Sequence, residues 1–150
     1  MKQQDYTTSI IVDQPPVEVF RAISNVRGWW SEGVEGDTEN LHDEFVYRHK
    51  DMHYSKQRLV EVVPGKKLVW LVTDSKLSFI KGNQSEWTGT KVSFDIVPKG
   101  NKTEILFTHN GLVPDIECFT ACSRGWNYYL YNSLAKLITT GKGEPDQKDN

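Results

Sequence analysis

Apolar and polar positions along this 150-residue chain fall into two regimes. Up to about Asn110 the recurring period is two, the mark of strands with one buried face. From 116 to 140 the period becomes three to four, the mark of a helix. In that last stretch Phe119, Cys122, Trp126, Leu130, Ser133, Leu134 and Leu137 fall on one stripe. Glu117 sits in the first turn, where a carboxylate suits the positive end of a helix. Gly141 and Gly143, with Pro145 beyond, supply the stop. The pattern predicts one long C-terminal helix over 116–140.

The earlier elements follow in order. Tyr6–Val12 is rich in β-branched residues and reads as the first strand. Pro15 and Pro16 open a helix over Pro16–Ser24, since proline is tolerated in a first turn; Val17, Phe20, Ala22 and Ile23 recur at helical spacing. Gly28, Trp29 and Trp30 read as a second short helix or turn that plugs one end of a barrel. Positions 33–40 are glycine- and acid-rich, a loop or weak edge strand. Further strands are expected over 44–50, with Phe45, Tyr47 and His49 to one side, and over 54–63, with Val60 and Val62 sharing a face. Others are expected over 67–73, over 90–97 with Val92, Phe94 and Ile96 inward, and over 103–110 with Ile105, Phe107 and His109 inward. Pro64-Gly65 and 99–102 make hairpin turns. The stretch 74–87 has no firm period and reads as a long loop or frayed strand.

Consecutive hairpins imply an antiparallel sheet, and the long helix is the one cover of sufficient length. The expected fold class is α+β: a curved antiparallel sheet of six or seven strands wrapped around a long C-terminal helix, with one or two short helices after strand one. A single domain is expected over 1–142, followed by a disordered tail at 143–150.

Composition narrows the function classes. A net charge of −2 and scattered lysines give no general attraction to a phosphate backbone, so no nucleic-acid partner is expected. No apolar run approaches the ~18–20 residues of a membrane span. The N-terminus lacks the apolar core of a signal peptide. Two cysteines without such a signal imply a reducing compartment, so the expected location is cytoplasmic. Five tryptophans in an 11% aromatic chain favour a large core or a ring-lined pocket.

Candidate chemistry is sparse. A strongly curved sheet gripping a helix leaves a gap that Phe45, Tyr47, Trp70, Phe94, Phe107 and Trp126 would line, with Tyr47, His109 and the Trp126 indole N–H as polar handles. The same rings could instead fill that space as core. His109, on the inward parity, is a candidate ligand handle, general base or switch; the plainer reading is a neutral histidine held by one hydrogen bond. His49 and His53, with Cys118 and Cys122, resemble a zinc donor set in type. Four residues of extended strand would separate the two imidazoles by ~13 Å, however, and Cys118 lies off the buried stripe. No metal and no cofactor is therefore expected. Tyr128 and Tyr131 point away from the stripe, which fits packing on a sheet edge or neighbouring loops, or else a partner surface.

Five segments in order carry a resemblance: residues 16–24 followed by Trp29-Trp30; 61–69; 103–112; Gly125-Trp126 with Leu130, Ser133 and Leu134; and 140–143. Together they resemble the helix-grip superfamily of START and Bet v 1-like (SRPBCC) proteins. Within it they resemble the activator of Hsp90 ATPase homologue 1-like (AHSA1) branch. The stretch 38–44 departs from that branch's glycine-rich entry into its third strand, which implies a different cavity mouth. The resemblance implies a helix-grip fold with a cavity between sheet and helix. It also implies a non-catalytic role: binding a small hydrophobic, lipid-like or aromatic ligand at Trp30, Phe45, Tyr47, Trp70, Phe94, Phe107, His109, Cys122, Trp126 and Leu130. The alternatives are an Hsp90-type chaperone-interaction module and a cyclase- or hydrolase-like enzyme using His109. The chain lacks a counterpart of the eukaryotic co-chaperone's separate N-terminal domain, which weakens the chaperone reading. Monomer and homodimer both remain open.

Overall fold

Alternating side chains become paired strands. The computed structural model describes residues 4–147. Seven strands are β1 (Tyr6–Val12), β2 (Glu35–Gly36), β3 (Glu44–His49), β4 (His53–Val63), β5 (Lys67–Leu77), β6 (Lys91–Lys99) and β7 (Lys102–Asn110). They form one antiparallel sheet in the order β1-β7-β6-β5-β4-β3-β2. Two short helices, α1 (Pro16–Ser24) and α2 (Val26–Trp29), lie between β1 and β2. The C-terminal helix follows the last strand and covers the inner face.

That helix runs over 119–140 in three parts. α3 (Phe119–Asn127) widens into a π-helical stretch, Tyr128–Leu134, and tightens again into α4 (Ala135–Thr140). π-stretches are rare and concentrate where a helix serves a site. Gly141 ends it in the left-handed conformation at φ 87°, with its N–H on the Leu137 carbonyl at 3.0 Å.

The predicted start at 116 is three residues early, for an electrostatic reason. Glu86 accepts the Glu117 and Cys118 backbone N–H groups at 2.8 and 3.1 Å, so a loop carboxylate serves the helix N-terminus. Glu117 turns the other way and accepts the Lys81 and Gly82 N–H groups at 2.7 and 2.8 Å. Those two bonds hold its carboxyl below the usual range. The exchange ties the loop after β5 to the start of the helix.

Inward side chains meet in one core. β3 contributes Phe45 and Tyr47, β5 Leu68 and Trp70, β6 Val92, Phe94 and Ile96, and β7 Ile105, Phe107 and His109. The helix contributes Cys122, Trp126, Leu130 and Leu134. Parity is as expected except on β4. There Ser55 and Gln57, opposite the inward Tyr47 and Phe45 of β3, and Leu59 alternate inward; a register shift against β5 then inserts Val60 between Leu59 and Glu61, and Val60 and Val62 are only half-buried. Cys118 is a second correction. It is 1% exposed, not semi-exposed, because the loop after β5 covers it.

Of the expected tail at 143–150, residues 143–147 are described and 148–150 lie outside the described residues. Glu144 N–H donates to Ser133 Oγ at 2.8 Å, and Asp146 pairs with Ser31 as an isolated parallel bridge. The segment is polar because its partners are polar, not because it faces water alone. Tyr128 and Tyr131 carry exposed rings but paired hydroxyls: Tyr128 on the Glu144 carbonyl, Tyr131 on Thr8 and the Ser9 carbonyl. The packing reading holds for both.

One glycine links sheet to helix under strain. Gly111 sits at φ 106°, and a Cβ there would stand 2.6 Å from Thr90 Cγ2. Gly111→Ala is expected to lower stability by about 1–3 kcal/mol in urea unfolding. A change under half a kcal/mol would show that the turn relaxes freely.

Candidate functional site

The middle of the grip is full. Trp29, Trp30 and Trp70 lie nearly parallel, with ring centroids 5.7–6.2 Å apart. Phe45 and Phe94 close on Trp70 edge-on, each at 5.0 Å. Trp126 leans on Trp30 at 5.2 Å and on Phe107 at 4.7 Å. The room lies off to one side, where hairpin β3–β4, the loop after β5 and the start of the C-terminal helix meet.

That pocket has a volume of about 220 Å³ and an almost wholly apolar wall. Trp30, Trp87 and Trp126 form its floor; Met52 and Phe79 are its exposed large apolar side chains. Ala121 and Gly125, one turn apart on α3, make space on the helix side by having little or no side chain. Tyr47 and Tyr129 face it, and Tyr129 belongs to the π-stretch.

His49 and His53, also lining, are direct partners across the β3–β4 turn. The expected ~13 Å separation fails because the chain reverses between them. They still form no metal site: among the described residues no group of three or more His, Cys, Asp or Glu side chains could hold a metal ion. His53 lies against Tyr47 and Trp87, and burial, with His49 nearby, lowers its pKa to about 3.

His109 is a structural relay. Trp126 Nε1–H donates to its Nδ1 at 3.0 Å, which fixes the proton on Nε2. Nε2–H then meets Thr90 Oγ1 at 2.9 Å, and that hydroxyl donates to the Trp87 carbonyl at 2.6 Å. The ring is fully buried, and burial, with His53 nearby, lowers its pKa to about 3. Both nitrogens are committed to holding Trp126 and the Trp87 loop, which leaves none for acid–base work.

A polar cluster forms one wall. Asp146 Oδ2 accepts from the Tyr47 and Tyr129 hydroxyls at 2.8 and 2.7 Å and from His49 Nδ1 at 3.2 Å. The two phenol oxygens are 3.0 Å apart. Burial first, then this crowding, pushes both phenols above their usual range, so they stay protonated donors.

Of the ten residues expected to contact a ligand, Trp30, Tyr47, Cys122 and Trp126 line the pocket. Phe45, Trp70, Phe94, Phe107, His109 and Leu130 instead pack in the core behind it. Sequence reasoning did not place His49, Met52, His53, Phe79, Trp87, Ala121, Gly125 or Tyr129 in the pocket, nor Asp146 beside it. A tryptophan and a phenylalanine inside an aperiodic loop were the one available signal for Phe79 and Trp87.

Among curated proteins none matches the chain. Solved structures share its fold, three of them as follows. The solution structure of the Aha1 dimer from Colwellia psychrerythraea aligns with TM-score 0.75 at 20% identity, covering 93% of this chain and 99% of that one. Protein SSP2350 from Staphylococcus saprophyticus aligns with TM-score 0.68 at 15% identity, over 95% and 97% of the two chains. CalU16 from Micromonospora echinospora aligns with TM-score 0.63 at 15% identity, over 90% and 76%. The model of the Activator of Hsp90 ATPase homolog 1-like protein family matches residues 13–139. With its seven-stranded antiparallel sheet closed on a C-terminal helix, the chain belongs to that family, AHSA1.

Proposed function

We propose that this chain binds a small, largely apolar molecule of one or two fused rings between hairpin β3–β4, the Trp87 loop and the C-terminal helix. The supporting observation is the ring-walled pocket of about 220 Å³, on a scaffold that otherwise packs its interior tightly. Its size exceeds the ~150 Å³ of a cavity that takes benzene and falls short of the ~300–1,000 Å³ of drug-sized sites. Catalysis by His109 is the weaker reading, because that ring is buried away from the pocket with both nitrogens bonded.

Gly125 provides the test. A Cβ built there has no heavy atom within 4 Å, so a larger side chain grows into the pocket without a core clash. Gly125→Leu is expected to hold or raise stability, since glycine costs about 1 kcal/mol inside a helix. It should also weaken binding of 2-naphthamide at least tenfold in a tryptophan-fluorescence titration. Unchanged binding in the leucine variant, or no saturable binding by the parent protein, would end the reading.

A further inference from the structure

The Asp146 cluster remains to be explained as part of the pocket. Three donors that line the pocket, the Tyr47 and Tyr129 hydroxyls and His49 Nδ1, converge on one carboxylate oxygen at 2.7–3.2 Å. Such convergence is how proteins bind a carboxylate. The carboxylate here belongs to no strand or helix. It arrives on the segment after Gly141, held by a few contacts. Gly143 passes so near α2 that a Cβ would lie 2.4 Å from the Gly28 carbonyl. Asp146 N–H then donates to the Trp30 carbonyl at 3.0 Å, and Glu32 N–H donates to the Asp146 carbonyl at 2.9 Å. The segment is a strap, and Asp146 bonds to lining residues without itself being among them.

Among the described residues no lysine or arginine lines the pocket, and His53 is kept neutral there by burial. The two phenols and His49 are donors that an anionic group in this pocket would meet, beside the buried Trp87 indole N–H. The phenols and His49 now meet the chain's own anion.

We infer that the Tyr47–Tyr129–His49 cluster is a carboxylate-binding site which the chain's Asp146 fills as a stand-in, and that the pocket's ligands are aromatic carboxylic acids that displace Asp146 and lift the strap. The inference rests on ligand binding in this pocket and names its chemical class. A tethered competitor acts at an effective concentration near the millimolar range, so it masks the site from weak ligands and yields to ones that also fill the ring-walled space. The rival chemistry is a cation: tryptophan and tyrosine faces beside a carboxylate also suit an ammonium group.

The experiment compares three probes of one shape on the full chain: 2-naphthoate, neutral 2-naphthamide and 2-naphthylmethylammonium. Asp146→Ala is expected to tighten 2-naphthoate at least tenfold and to leave 2-naphthamide within twofold. Gly143→Val, which moves the strap but keeps every donor and charge, should tighten 2-naphthoate in the same direction. In the parent protein, 2-naphthoate but not 2-naphthamide should speed tryptic cleavage after Lys142, read as loss of 143–150 from the intact mass.

If Asp146→Ala leaves 2-naphthoate within twofold or weakens it while 2-naphthamide still binds, the carboxylate inference alone falls. Tighter binding of the ammonium probe, lost in Asp146→Ala, would likewise overturn it and make Asp146 a cation contact. Failure of all three probes on every protein would remove the ligand-binding reading and this inference with it.

Discussion

Replacing Trp30 with Ala is expected to lower the unfolding free energy by about 4–5 kcal/mol. Loss of a buried tryptophan alone costs about 3–5 kcal/mol, and each well-placed ring pair adds about 0.5–1.5. Trp30 is 2% exposed and stacks on Tyr47 at 4.1 Å and on Trp70 at 5.7 Å, with Phe45 and Trp126 against its other edges. Its backbone carbonyl also receives the Asp146 N–H, so the void opens where the strap is tied down. A domain at the lower end of ordinary stability, about 5 kcal/mol, would be left close to its unfolding midpoint at room temperature. Urea unfolding followed by circular dichroism measures the change. Trp30→Phe, which keeps a ring in the stack, should cost less than half as much. A loss under about 1.5 kcal/mol for Trp30→Ala would mean that the stack is not a keystone.

Acid should unfold the protein well before its carboxylates are all protonated. His53 and His109 are buried neutral, each with a folded-state pKa near 3 against about 6.5 for a free ring. The unfolded chain therefore takes up protons that the folded chain refuses. Their contribution to stability is complete above about pH 6.5 and shrinks as the pH falls from there toward 3. With both groups titrating, the steepest loss is about 3 kcal/mol per pH unit. The groups facing them act the same way: His49 opposes a charge on His53, and His53 opposes one on His109. The expected result is a steep fall in Tm between pH 6.5 and 4.5, with unfolding at 25 °C before pH 4. His109→Gln keeps an acceptor for the Trp126 N–H without a titrating ring, so it should make that fall shallower even if it lowers Tm at pH 7. A flat Tm from pH 7 to 4.5 would contradict the buried neutral state.

The sheet was legible because burial on one face writes itself as alternation, as at Val92, Phe94 and Ile96 or Ile105, Phe107 and His109. The helix was legible because Trp126, Leu130, Ser133 and Leu134 keep one stripe through the wide π-turns; past them the buried position falls to Ile138, and Leu137 is half-buried. Where the signal failed, a tertiary cause can be named. On β4 the inward set is Ser55, Gln57 and Leu59, the first two polar enough to look solvated, and the extra residue Val60 breaks the alternation between Leu59 and Val62. His49 and His53 looked distant because a spacing in sequence says nothing of a reversal between its ends. Trp87 and Phe79 lie on a loop whose shape comes from the Glu86 and Glu117 exchange with backbone N–H groups, and such contacts have no period. Ala121 and Gly125 matter for what they leave out. Asp146 looked like part of a polar tail because its partners, two phenols and an imidazole, come from two distant elements, β3 and the C-terminal helix.

All five tryptophans of this chain belong to one connected stack, from Trp29 and Trp70 through Trp30 and Trp126 to Trp87. Indoles 5.2–6.2 Å apart share their excited states instead of absorbing as isolated dyes. The near-ultraviolet dichroism should thus be dominated by coupled transitions, and a quencher touching any one ring should dim the emission of the set. The chain comes with an optical reporter whose two ends are the innermost core and the pocket floor.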